Sequence, residues 1–534
     1  MNPLTSLLRS GRTTALLALT IAGLFAVPAS IKAEILAAPV TVTLNPNGNA
    51  PLSAVANFTT TIDCLVQVEV QGNVPVTHIA ITPGKTHSVP ILGLYPGRAN
   101  TVVLTLQAVH RKPETQTLSI TTDPLPAFFP AVTVSSSNAG LMEPGMNLST
   151  FQYSSGGVLR SYPFMYDSSG AVRWYLDLSA YGTRCLPLRR LVDGNYVFVT
   201  DHEIHEIDPL GKEAAPITVP GYTLHDEIIE LPNGNFLAGV DKPGTIVGNT
   251  WGRLPSRGDY MIEVDRSTQA VLREIGLINI LDVDRNEQIG FGQDGDWFHM
   301  SGIAYRASDD SFITSGRYQA IVRVLSNNNL QWILAASRGW FEPGWPEDYS
   351  KTTAFSVLRS LNPAGQSNPP MVQGGYQADP NFDWPWGPAS VVILSNGNLL
   401  VYDGGYYRFF MNDRGPYYSR AVEYAVDENN FTVRQVWAYG LERGQELYSP
   451  LFGNAQDLAQ THNRLMGSGM VQGAAGAQAK AVEVTYPGNT VVFEAAVMFR
   501  NLAATGTAFG QYDYVYQTVR LPLYPNEPLI KRGN

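Results

Sequence analysis

One pattern returns three times along this 534-residue chain and constrains its fold more than any other feature. His225 opens the run His-Asp-Glu-Ile-Ile-Glu-Leu-Pro-Asn-Gly-Asn-Phe-Leu. His299 opens His-Met-Ser-Gly-Ile-Ala-Tyr-Arg-Ala-Ser-Asp-Asp-Ser-Phe-Ile, and Ala389 opens Ala-Ser-Val-Val-Ile-Leu-Ser-Asn-Gly-Asn-Leu-Leu. Each is an apolar strand, an Asn/Asp-Gly-type turn and a second apolar strand, the signature of a β-hairpin. Similar turn anchors stand at Asp193-Gly194-Asn195 and around His462-Asn463. Outer strand pairs follow, such as 261–265 with 270–275 and 421–424 with 433–437. The irregular spacing fits four-stranded propeller blades carrying loop insertions. Five anchors give five blades, and a sixth forms if 171–176 pairs with 514–519, closing the ring with both chain ends and removing exposed sheet edges. Seven blades is the alternative. As equivalent blade positions, His225, His299 and Ala389 would converge on the axis.

The segments before the repeat are different in kind. Arg9 and Arg12 precede an apolar, uncharged run from Thr13 to Val27, and small residues follow, which reads as an export signal cleaved after Ala29 or Ala33. The run is short for a membrane span, so no stable membrane insertion is expected, and the mature chain is expected to be periplasmic or secreted. Residues 34–125 alternate in short strands and read as a small β-sandwich. Residues 126–150 read as a linker and 151–534 as the propeller. The fold class is therefore all-β. Abundant Tyr (26) among turn-forming Gly (49) and Pro (36) agrees with that. A net charge of −10 without a basic cluster excludes nucleic acid as the natural partner. Cys64 and Cys185 fall in different expected domains, and both a disulfide and two buried thiols remain open.

From about Leu44 onward the chain resembles the bacterial aryl-sulfate sulfotransferases that work without a nucleotide sulfate donor. Asn45-Pro46-Asn47-Gly48-Asn49-Ala50-Pro51-Leu52 and Val89-Pro90-Ile91-Leu92-Gly93-Leu94-Tyr95-Pro96-Gly97 carry the resemblance in the N-terminal part. Asp296-Trp297-Phe298-His299-Met300-Ser301, Ser315-Gly316-Arg317-Tyr318-Gln319 and Val401-Tyr402-Asp403-Gly404-Gly405 carry it in the repeat. The resemblance implies a periplasmic six-bladed propeller that moves a sulfuryl group between phenols through a sulfo-histidine, at a site in the central channel. His225, His299 and Arg317 match three of the family's site residues, and Ser301 stands where the family carries asparagine. The family's nucleophile is the histidine of a Gln-His pair shortly after a tryptophan; in Trp384-Pro385-Trp386-Gly387-Pro388-Ala389 that pair is Pro388-Ala389.

The chemistry asks little else of the chain. Sulfuryl transfer, like phosphoryl transfer, runs on positioning and charge stabilisation. Arg317 offers a fork for two sulfate oxygens, and the histidines offer donors worth about 1.5–3 kcal/mol each when charge-assisted. Alanine has no lone pair, so three readings stay open. His225 or His299 replaces the nucleophile or activates a phenol directly, the site binds without turnover, or a histidine enters from elsewhere. Hydrolysis is a further variant. Trp384, Trp386 and Tyr402 would stack on an aromatic substrate or serve as packing. His202 and His205 are three apart on an expected strand and diverge, so they make a poor metal pair. The expected partners are phenolic sulfates and phenols, with no metal or other cofactor. A homodimer is compatible with the chain.

Overall fold

The computed structural model describes residues 34–249, 252–257, 260–283, 285, 295–340, 353–410, 416–473, 476–501 and 511–525. The export signal read over residues 1–33 lies outside them.

The N-terminal domain is organised by one long strand, Ser53–Val70. Val66, Val68 and Val70 are buried while Gln67 and Glu69 between them are less so, the period-two pattern of a half-covered sheet. Its first half pairs with Thr41–Leu44 and its second with Ala99–Ala108, while Val76–Leu92 runs along the other edge. The register slips between Thr59 and Val66, where the strand changes neighbour. Glu114–Thr121 completes a single five-stranded sheet. The sandwich expected from sequence is thus hydrogen-bonded throughout, with one strand shared by both halves.

Among the described residues six larger sheets follow, each with four consecutive antiparallel strands counted from a first, innermost strand; the fourth and fifth carry one further edge strand, and the sixth takes its first strand from the C-terminal end. The first strands are Leu186–Arg190, Thr223–Glu230, Met300–Arg306, Pro388–Ile393, Gly453–Asp457 and Tyr514–Leu521. Each touches the next, and the sixth touches the first, so they form a closed ring. The anchor turns join first to second strands: Leu231 N–H donates to Asn235 O, and Leu394 N–H to Asn398 O, around Gly234 and Gly397 at φ 85° and 84°. That left-handed backbone is why glycine recurs there.

Two expectations need correction. Strand Tyr514–Leu521 pairs with Met146–Ser155, not with the 171–176 segment. Val172–Tyr175 belongs to the same sheet but at its outer edge, with two strands between it and Tyr514–Leu521. The stretch read as linker, 126–150, contributes two strands: Ala131–Ser137 covers the edge of the fifth sheet, and Met146–Ser155 begins inside this range. Short polar strands such as Ala131-Val132-Thr133-Val134-Ser135 resemble linkers because their hydrophobic alternation is brief. The ring is closed by segments from both sides of the repeat.

The two domains share a core. Trp174, Leu176, Tyr196, Leu523 and Tyr524 pack with Leu92, Val76 and Leu104. Buried Arg173 donates to Gly93 O and Val74 O and pairs with Asp167 at 2.7 Å. Cys64 and Cys185 are buried free thiols.

Candidate functional site

The first strands share an irregularity at the channel end. In the second sheet Leu224 faces Val240 and Ile228 faces Ala238, so His225, Asp226 and Glu227 together oppose Gly239. In the third, Met300 faces Gly316 and Gly302 faces Ser315; in the fourth, Pro388 faces Asp403 and Ser390 faces Tyr402. Each is a β-bulge, the device that re-aims a side chain at a strand end. Read from the paired residues, the equivalents are His225, Ser301 and Ala389. His299 is not the counterpart of Ala389: it stands two residues earlier, outside the ladder, at φ 55°. Counting from the turn cannot reveal an inserted residue, which is why sequence spacing misaligned it.

His299 nevertheless reaches the same place as His225. Their rings meet edge to face with centroids 5.5 Å apart, and Tyr318 lies 5.0 Å from His299 on another side. The turn after Ser311–Gly316 folds back on this loop: Arg317 N–H donates to His299 O at 3.0 Å, and Tyr318 N–H to Phe298 O at 3.2 Å. Gly316 is required there, since a Cβ would sit 2.4 Å from the Phe298 ring. The unusual backbone of His299 is over-determined by these contacts, as strained site residues generally are.

The electrostatics follow from the partners. His299 Nδ1 lies 2.6 Å from Asp296 Oδ2. A proton on Nδ1 satisfies the carboxylate and leaves Nε2 with its lone pair. Burial lowers the His299 pKa; Asp296 works against this, while Arg317 and His225 add to it, and the result lies below 6.5. Burial tends to raise the Asp296 carboxyl, yet His299, His225 and Arg317 hold it below its usual value. Burial raises the Tyr512 phenol, with nearby Arg317 opposing, so it stays a donor.

Arg317 is only 8% exposed, and its Nη2 donates to Leu451 O at 2.7 Å. Among the described residues no carboxylate lies within ion-pair distance of it. Its Nε is buried without a partner, as is His225 Nδ1. A buried cation normally has an anion beside it. Arg317 acts electrostatically on Asp296, His299 and Tyr512, and His299 meets the rings of His225 and Tyr318, so these groups share one neighbourhood.

The other sequence candidates separate from this cluster. Ser301 donates to Pro388 O at 2.6 Å, stitching the third first strand to the fourth beside Ala389. Trp384, Trp386 and Tyr402, read from sequence as substrate-stacking or packing residues, pack in the interior and do not line a substrate face. Trp384 Nε1 donates to Val372 O at 2.7 Å, Trp386 Nε1 to Asp383 Oδ1 at 3.0 Å, and Tyr402 OH to Ser449 O at 3.0 Å. All three are at most 1% exposed, so no face is left for a ligand. His202 is exposed and His205 buried against Glu213, the divergence expected of that pair. Among the described residues no group of three or more His, Cys, Asp or Glu could hold a metal ion. Sequence reading missed the Asp296–His299 pair, although an acid three residues before a histidine was there to be seen. It also missed Glu227, Tyr512 and Tyr516, whose placement depends on the bulges and on ring closure.

Comparison with known proteins gives one family over most of the chain. Residues 132–506 match the family model described as Arylsulfotransferase (ASST), and residues 41–123 match that described as Arylsulfotransferase Ig-like domain. "Arylsulfate sulfotransferase AssT" of Escherichia coli O6:H1 (strain CFT073) is 28% identical over 59% of this chain and 58% of its own length. The protein of that name from Lelliottia amnigena is 26% identical over 77% of this chain and 81% of its own.

Proposed function

The chain belongs to the arylsulfotransferase family, and from that premise we propose that it transfers a sulfuryl group from a phenolic sulfate ester to a phenol, after export to the periplasm or beyond. The observation that carries this is Arg317, a buried guanidinium without a carboxylate at ion-pair distance among the described residues, within electrostatic reach of the His299 imidazole. An aryl sulfate supplies the missing anion.

In the proposed reaction the sulfate oxygens lie against Arg317 Nε and His225 Nδ1, in a wall of aromatic side chains that excludes water and accepts the aryl ring. His299 Nε2 takes the proton of the acceptor hydroxyl. The new oxygen–sulfur bond forms as the donor's ester bond breaks, and the donor leaves as a phenolate that recovers a proton from the imidazolium. The lowered pKa keeps His299 unprotonated and ready at neutral pH. Asp296 holds the tautomer and stabilises the cation that forms. This route needs no nitrogen at Ala389, where the family's motif leads one to expect the nucleophile.

One observation favours a second reading. A methyl group at 389 offers no lone pair, and a protein that kept Arg317 and both histidines without the nucleophile would bind aryl sulfates unchanged. Turnover of 4-nitrophenyl sulfate by the mature protein, with and without phenol, decides. Phenol-dependent release of nitrophenolate that is lost in His299→Ala and Arg317→Ala supports transfer. Release indifferent to phenol means hydrolysis. No release from the native chain, with gain in Ala389→His, means a binding protein.

A further inference from the structure

His225 has a difficulty that His299 does not. His299 is oriented by Asp296, whereas His225 Nδ1 has no hydrogen-bond partner, and its backbone sits in a bulge where three residues oppose one. A bulge gives up ladder hydrogen bonds locally. Something else must fix the ring, and the same bulge supplies it at its other end.

Glu227 is 2% exposed, and both of its oxygens are engaged across strand boundaries. Tyr516 OH donates to Oε1 at 3.0 Å from the sixth first strand, and Arg189 Nη2 donates to Oε2 at 2.5 Å from the first. Gly239, opposite the bulge, leaves room: a Cβ there would come within 3.0 Å of Met300 Sδ and 3.8 Å of Glu227 Cβ. One carboxylate therefore joins three neighbouring channel strands at the residue pair that carries His225.

We propose that Glu227, held by Tyr516 and Arg189, is the positioning residue that places His225 against the bound anion. This rests on the reading of the channel as an aryl-sulfate site. Charge and position make opposite predictions for Glu227→Gln. Removing a negative charge from the channel wall strengthens attraction for an anion, whereas loosening the bulge withdraws the His225 donor and weakens binding.

The test is a double-mutant cycle on the Kd of 4-nitrophenyl sulfate, measured by titration calorimetry. Glu227→Gln should weaken binding about tenfold with His225 present and less than about twofold in a His225→Ala background. Tyr516→Phe removes one bond without touching a charge, and should weaken binding about threefold with His225 present and not at all without it. If Glu227→Gln fails to fold, as judged by its thermal unfolding, Tyr516→Phe decides alone. Tighter binding in Glu227→Gln, or equal losses in both backgrounds, overturns the proposal. If Arg317→Ala leaves the native Kd unchanged, or the native protein does not bind the probe, the aryl-sulfate reading itself falls and takes the proposal with it.

Discussion

Two buried clusters of charge stand on adjacent sheets, and they spend their hydrogen bonds differently. In the fourth sheet Arg408 pairs with Asp383 and Asp403, and Arg420 pairs with Asp403 at 2.7 Å. Arg420 also reaches Gln435, Tyr424 and the carbonyls of Asp383 and Trp384. Asp403 accepts from the N–H groups of Trp386 and Gly405 as well. Cations and carboxylates are matched inside the protein, and their work is to clamp the 383–388 loop. Around Arg317 the guanidinium donates to the Leu451 carbonyl and lies in the electrostatic reach of His299 and Asp296, with no carboxylate at ion-pair distance among the described residues. Matched charge is architecture, and a buried cation without an ion-pair partner among the described residues is the kind of group that a binding site uses.

The contrast can be broken most forcefully from the matched side. Asp403→Ala strips buried Arg420 of its carboxylate partner and Arg408 of one of its two, and should cost about 3–5 kcal/mol of stability by chemical denaturation; a loss comparable to a surface mutation would mean that the network is not structural. On the other side, Asp296→Asn should leave the melting temperature nearly unchanged while lowering 4-nitrophenyl sulfate turnover about 10²- to 10⁴-fold, since the amide cannot fix the tautomer or stabilise the imidazolium. Arg317→Met should weaken binding of that ester about 10- to 100-fold, yet leave the melting temperature unchanged or raised, because a buried charge without an ion-pair partner among the described residues has been removed. A large drop in stability there would place Arg317 with the architectural group.

The pH dependence sharpens the same point. With the His299 pKa below 6.5, the acidic limb of kcat/KM should lie below pH 6.5. Stability follows the same sign: between the lowered value and 6.5 the unfolded chain holds more protons at this residue, so its contribution is full above 6.5 and falls as pH drops through that window. A limb above 6.5 would contradict a neutral His299 as the base. Smallest of all, Ser301→Ala removes one hydrogen bond to Pro388 O and should cost about 1 kcal/mol, with little change in the chemical step.

How much of this the sequence discloses depends on the range of the interaction. Hairpins are local, and all five turn anchors, from Asp193-Gly194 to His462-Asn463, fall between first and second strands of a sheet. The partner of Tyr514–Leu521 is a long-range choice, and the alternation of Val172–Tyr175 offered an equally good strand in the wrong place. His225, His299 and Arg317 were legible because the resemblance to the aryl-sulfate sulfotransferases carried them over position by position. The tryptophans were misleading because a large ring suits a ligand and a core equally well until its N–H finds a carbonyl. Bulges leave no periodic trace, so neither the offset of His299 nor the tie at Glu227 could be counted out.

Ring closure by the strand Tyr514–Leu521 sets an order of events. A ribosome delivers His225, His299 and Arg317 well before it delivers Tyr512 and Tyr516, the residues that wall the anion site and hold Glu227. A nascent or truncated chain lacking its last strand thus carries every reactive group and no finished pocket.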